Sequence, residues 1–175
     1  MASGNAEDEF ETVDYGMTPT VFQRVQYYVL ALLPMVIPIL MYVRIFGMNV
    51  TGSVVTLALG ILASAGVLSA AYHNITYTKR VQLMRKSEEP TKSAFGKGNV
   101  KDYENAVSSY HDQVKRTAIF YSVFYNNLLF ILVAIVSGSY FLKGKIGLEM
   151  EFIMSNLLGS GFAFWNSLNA LKLLE

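Results

Sequence analysis

The residues of this chain best suited to chemistry are cations clustered in its one long polar stretch, and the chemistry they support is binding. Between 76 and 117 the sequence carries Lys79, Arg80, Arg85, Lys86, Lys92, Lys97, Lys101, Lys115 and Arg116 against Glu88, Glu89, Asp102, Glu104 and Asp112, nine positive charges against five negative. A surface of that sign recognises phosphate through charge and counterion release. Bond-making chemistry has no comparable foothold. His73 and His111 stand apart, with no HExxH, Walker loop or nucleophile elbow around them. The absence of Cys excludes thiolate metal sites, disulfides and cysteine nucleophiles. No catalytic residue, cofactor or metal is therefore expected.

The elements that must position these cations are membrane helices. With 53% hydrophobic and only 15% charged residues, and a mean hydropathy of +0.35, the 175-residue chain has the composition of a membrane protein. Four apolar runs stand out, at about 27–46, 54–72, 119–142 and 152–171. At 1.5 Å per residue, about 20 residues cross the roughly 30 Å hydrocarbon core. The expected fold class is all-α, with four transmembrane helices in two hairpins and a basic helical loop between helices two and three. The corresponding division is an acidic tail at 1–24, a first transmembrane hairpin at 25–75, the basic loop at 76–117 and a second hairpin at 118–175.

The tail, with Glu7, Asp8, Glu9, Glu11 and Asp14 and few large aliphatics, cannot bury enough apolar surface to order itself. It also lacks the basic region, short apolar core and cleavage site of a signal sequence, so the first apolar run is expected to be retained. Pro34 and Pro38 predict a kink in that run. Arg44, at its end, either snorkels to the interface or pairs with a partner's carboxylate. In the second run, Gly60 with Ser64 and Gly66 with Ala70 have the small-xxx-small spacing that admits close helix approach. Asn126 and Asn127 in the third run, and Asn156, Ser160, Asn166 and Asn169 in the fourth, predict interhelical hydrogen bonding and subunit packing, because an amide facing lipid is costly.

The positive-inside rule places the basic loop in the cytosol, and with four crossings both termini lie there as well. Asn49 and Asn74 head glycosylation tripeptides, but the first lies against the bilayer and the second on the cytosolic side, so neither is expected to be modified. Within the loop, Val100, Tyr103, Val107, Tyr110 and Val114 form one helical stripe, and Tyr77, Val81 and Met84 another. Asn99 is a candidate N-cap, and Pro90, Gly96 and Gly98 supply the reversal between two packed arms. Charge alone leaves two partners open. Lys79, Arg80, Lys115 and Arg116 suit anionic lipid headgroups at about 1 kcal/mol per cation. The more distal Arg85, Lys86, Lys92, Lys97 and Lys101 suit phosphate-rich RNA.

Three short blocks carry a family resemblance. Ile37-Pro38 with Tyr42-Val43-Arg44-Ile45 and Met48, then Ala71-Tyr72-His73-Asn74, then Phe124-Tyr125-Asn126-Asn127-Leu128-Leu129-Phe130 resemble the gamma-subunit family of the translocon-associated protein complex over about 25–142. The resemblance implies a non-enzymatic, four-helix subunit of the endoplasmic reticulum membrane, in a complex with alpha, beta and delta subunits beside the Sec61 channel. It further implies that the cytosolic loop contacts the ribosome through RNA and protein, which assigns ribosome binding to Arg85, Lys86, Lys92, Lys97 and Lys101. Arg44, Asn126, Asn127 and Asn156 are the expected subunit-packing residues. The rivals are a small four-helix transporter or channel and a lipid-binding membrane scaffold.

Overall fold

The computed structural model describes residues 18–87, 89–91 and 100–174. The acidic residues of the tail, Glu88, Lys92, Lys97 and the turn positions Gly96, Gly98 and Asn99 lie outside the described residues. Helix α1 (Val21–Leu32) starts at a capping box, in which the Thr20 hydroxyl accepts from the Gln23 backbone and the Gln23 side chain returns the bond. The expected kink falls where Pro34 lacks a backbone donor. The helix breaks after Leu32, short Leu30–Leu33 and Leu32–Met35 turns bridge the gap, and α2 (Val36–Leu40) runs on into a π-helical turn, Met41–Ile45. Gly47, at φ 73°, reverses the chain with a backbone conformation that other residues adopt only under strain.

Helix α3 (Val54–Lys86) and helix α4 (Val100–Val136) are each longer than a bilayer requires. A second π-helical turn, Ser137–Leu142, extends α4, Gly144 at φ 74° reverses the chain, and α5 (Leu148–Lys172) returns alongside. No strand occurs among the described residues. Helix α3 is the centre of the bundle, packing against α1, α4 and α5, while α4 also packs on α5.

The pattern of burial is that of a membrane protein. Apolar side chains ring the outside: Val25, Val29 and Leu33 on the first segment, Phe124, Leu128 and Leu132 on α4, and Leu158, Phe162 and Trp165 on α5. The inside holds small or polar residues. Ala31, Ala65, Ala71, Ala134 and Ala163 are fully buried beside Tyr72 and Phe130, which brings helix axes close where no hydrophobic force drives association. Of the small-residue pairs, Gly60 and Ser64 are both buried, and a Cβ on Gly60 would stand 3.0 Å from the Phe152 ring.

The expectation of four crossing helices is met for three of them. Three segments among the described residues are long and apolar enough to span a membrane: Val21–Ile45, Val54–Lys86 and Val100–Leu142. The 25 residues of α5 suffice in length. Asn156, Asn166 and Asn169, with Ser155, Ser160 and Ser167, lower its apolarity. The physical reason is that much of this polarity points inward. Ser155, Asn156, Ser160 and Ser167 are all buried against the rest of the bundle, where composition counts them but lipid does not meet them.

Candidate functional site

Two features of the sequence converge on the far ends of α3 and α4. At 1.5 Å per residue, the 33 residues of α3 extend about 50 Å, and the 43 residues from Val100 to Leu142 about 65 Å. Both exceed a hydrocarbon core of about 30 Å, so each helix projects as a continuous arm. Val81 and Val114 are buried between the arms. Beyond them, Tyr110 Oη lies 2.7 Å from Ser87 Oγ and donates to the Ser87 carbonyl oxygen at 3.0 Å, while Ser87 Oγ also contacts the Leu83 carbonyl at 2.8 Å. His111 Nε2 reaches Glu89 Oε1 at 3.1 Å. The packing stripe read from the sequence is therefore realised near the membrane and fades outward. Val114 is buried, Tyr110, Val107 and Tyr103 are half-buried, and Val100 is 65% exposed.

Of the five expected ribosome-binding cations, Arg85, Lys86 and Lys101 are exposed on these arms, and Lys92 and Lys97 lie outside the described residues. Nearer the membrane, the Lys79 ammonium sits 4.3 Å above the Tyr121 ring, which in turn stacks on Tyr125. The described parts of this end are thus helical, α3 as far as Lys86 and α4 from Val100.

Of the expected packing residues, Asn126 and Asn127 lie in a polar seam inside the bundle. Ser122 Oγ donates to the Tyr72 carbonyl at 2.6 Å, the Tyr72 phenol donates to Asn127 Oδ1, and Asn126 Nδ2 donates to the Ser122 carbonyl at 2.9 Å and reaches the Ala71 carbonyl at 3.5 Å. This seam joins α3 to α4. Asn74 Nδ2 to Ser167 Oγ, at 3.0 Å, joins α3 to α5, and Asn166 Nδ2 to Tyr125 Oη, also 3.0 Å, joins α5 to α4. Asn156 is fully buried and donates to the Phe152 carbonyl of its own helix at 2.7 Å. Arg44 is different, an exposed side chain in the π-helical turn just before Gly47.

Sequence reading missed the carboxylates at the other end of the bundle. Glu149 accepts from Ser53 Oγ at 2.6 Å and from Thr56 Oγ1 at 3.2 Å, tying the first turn of α5 to the first turn of α3. Glu151, only 1% exposed, accepts the Gly144 backbone N–H at 2.7 Å and so fixes the reversal between α4 and α5. The available signal was two acids just after Gly147, where a helix N-terminus favours negative charge. The helix begins at Leu148, earlier than its apolar run.

The sequence matches known proteins over most of its length. Residues 7–167 match the profile of the family described as Translocon-associated protein, gamma subunit (TRAP-gamma). The translocon-associated protein subunit gamma of Dictyostelium discoideum is 28% identical over 156 residues, a stretch covering 88% of this chain and 91% of that protein. With the profile covering well over half of the chain, this protein belongs to the translocon-associated protein gamma-subunit family.

Proposed function

We propose that this chain is a non-enzymatic subunit of the translocon-associated protein complex that bridges the ribosome and the Sec61 channel in the endoplasmic reticulum membrane. The observation that supports the reading is the extension of α3 and α4 beyond the length a bilayer requires, on either side of a stretch whose sequence is basic, in a chain belonging to this family. A stiff arm transmits position, and its exposed Arg85, Lys86 and Lys101 suit the phosphates of ribosomal RNA. Lys92 and Lys97 belong to the same basic stretch in the sequence.

In this reading α5 is a fourth crossing. Its outward Met154, Leu158, Phe162, Trp165 and Leu168 provide an apolar face, and its polar residues are covered by α3 and α4. The four parts are then the acidic tail at 1–24, transmembrane hairpins at 25–75 and 118–175, and the loop at 76–117, with both termini and the loop cytosolic. Alpha, beta and delta subunits pack against the membrane bundle. Asn126 and Asn127 fix the spacing of α3 and α4, Asn156 is buried inside the bundle, and exposed Arg44 is available to a partner's carboxylate. Asn126 and Asn127 already serve the α3–α4 contact, which favours a packing role over a solute path.

The test is co-sedimentation of ribosomes with the detergent-solubilised complex across a salt series. The comparison protein has Arg85, Lys86, Lys92, Lys97 and Lys101 all changed to Gln. Each phosphate contact contributes about 0.7–0.9 to the slope of log affinity against log salt. The expected result is weaker binding with a flatter slope, and equal sedimentation of the two proteins would overturn the bridging role.

A further inference from the structure

We propose that the seam between α4 and α5 seats one membrane phospholipid, with its phosphate at Lys79 and an acyl chain in the apolar groove that follows. The polar part is a single concavity of about 230 Å³ at the basic end of the bundle. Helix α3 lines it with Lys79 and Gln82, α4 with Tyr121 and Tyr125, and α5 with Asn166 and Asn169. These walls are tied to one another. Asn166 Nδ2 donates to Tyr125 Oη at 3.0 Å, the Tyr125 ring stacks on Tyr121 with centroids 5.7 Å apart, and the Lys79 ammonium lies 4.3 Å from the Tyr121 centroid. Contact with a ring face positions the ammonium and leaves N–H donors to meet an anion. Among the described residues no carboxylate pairs with Lys79, and none lines the cavity. Gln82 and Asn169 add neutral amide donors. One cation with neutral donors around it matches the single negative charge and the several oxygens of a phosphodiester.

A second observation extends the site toward the hydrocarbon. A groove of about 590 Å³ runs along the same two helices, lined by Leu132 and Val136 of α4 and by Leu158, Phe162 and Trp165 of α5. Helical register joins groove and cavity. Trp165 and Asn169 are four apart on α5, and Tyr125 and Leu132 are seven apart on α4, so on each helix a groove residue and a cavity residue share a face. Seven residues rise about 10 Å, which keeps the start of the groove within the roughly 15 Å depth of one leaflet. Gly161 leaves the groove open, since no heavy atom stands within 4 Å of its Cβ position.

The pairing of the two features selects a lipid. A free phosphate or an RNA phosphate would occupy the cavity and leave the groove unfilled, whereas a phospholipid carries a charged head and an apolar tail on one molecule. Tyr121 and Tyr125 place phenols beside Lys79, as suits the headgroup level of a bilayer. Basic pockets between transmembrane helices are a known class of headgroup site. The assignment rests on α5 lying in the membrane, as proposed above, and not on ribosome contact.

Photo-crosslinking of the full chain in detergent tests the seat. The probe is limiting phosphatidylcholine with a diazirine in one acyl chain, and diacylglycerol with the same chains is the comparison that lacks phosphate. Wild type is expected to concentrate phospholipid adducts on the groove stretches 132–136 and 158–165, several-fold above the diacylglycerol adducts there. Lys79→Gln should lower groove labelling by phospholipid about tenfold, which corresponds to about 1.4 kcal/mol. Lys79→Arg should keep it, as should Lys145→Gln, a loss of the same charge outside the cavity. Gly161→Leu fills the groove without meeting backbone and should lower labelling several-fold in a protein of near-normal thermal midpoint. If Lys79→Gln loses its helical circular dichroism, Gly161→Leu decides. Adducts no denser in the groove than on exposed Val25, Val29 and Leu33, or unchanged labelling of a folded Gly161→Leu protein, would overturn the seat. Equal labelling by diacylglycerol, or unchanged labelling of a folded Lys79→Gln protein, would overturn the place of the phosphate. Displacement of the probe by millimolar inorganic phosphate would overturn the lipid assignment. None of these outcomes affects the salt slope set by Arg85, Lys86 and Lys101, and the crossing of α5 is read separately by labelling its two ends, so the readings fail apart from one another.

Discussion

Tyr110 of α4 closes the end of α3, with its phenol 2.7 Å from Ser87 Oγ and donating to the Ser87 carbonyl oxygen at 3.0 Å. Ser87 is the C-cap of α3, where backbone carbonyls run out of helical partners, so one side chain both satisfies the helix end and holds the two arms together. Tyr110→Phe keeps the ring and removes the bond. The expected cost is about 0.5–1.5 kcal/mol, localised to the arms. Hydrogen exchange should rise in the last turns of α3 and in α4 around Tyr110 while the membrane segments stay protected. Unchanged exchange in the arms would show that burial of Val81 and Val114 suffices.

The α3–α4 seam makes a different prediction. Asn126→Leu with Asn127→Leu removes the bonds to Ser122, Ala71 and Tyr72 while keeping the branched side-chain shape. Interhelical hydrogen bonds in membranes are worth about 0.6 kcal/mol on average and up to about 1.7. The double variant should lose about 1–2 kcal/mol in detergent unfolding. Under the proposed assembly, recovery of partner subunits by affinity purification should fall with it, and full recovery would remove these residues from subunit packing.

Helix α5 approaches α4 through Gly159. A Cβ there would lie 2.8 Å from the Phe130 carbonyl oxygen and 3.2 Å from the Ala134 Cβ, and backbone cannot step aside as a flexible side chain would. Gly159→Leu should therefore cost at least about 1–3 kcal/mol through overpacking. Gly161, with open space around its Cβ position, is the internal control. Gly161→Leu should leave the thermal midpoint within a few degrees of wild type, and equal losses at both positions would refute the close α4–α5 approach.

Whether α5 crosses the bilayer can be read directly, because the chain has no cysteine of its own. Single cysteines at Lys145 and Leu174 bracket the helix. Four crossings predict that a membrane-impermeant maleimide labels them from opposite faces of sealed microsomes, with Leu174→Cys accessible outside and Lys145→Cys only after permeabilisation. Labelling of both from one face would leave three crossings and place α5 on the membrane surface.

Much of this architecture is written in the chain. Pro34 and Pro38 dictate the broken first helix because a missing donor and a ring clash are local events. The outward apolar stripes follow from composition and helical period alone, and the runs of hydrophobic sequence give α3 and α4 their membrane segments. The cationic character of the stretch between them is likewise a matter of counting.

What the sequence could not state is which polar groups meet. Asn156 and Asn126 look alike in a hydropathy plot, yet one bonds to its own helix and the other lies against α3, since partner choice depends on helix rotation and separation. The same holds for Glu151, which reads as a loop acid until the Gly144 reversal folds over it. Periodicity is a local property and was legible from the residues. The pairing of distant polar groups is set by the packing of the whole bundle, and only the tertiary structure decided it.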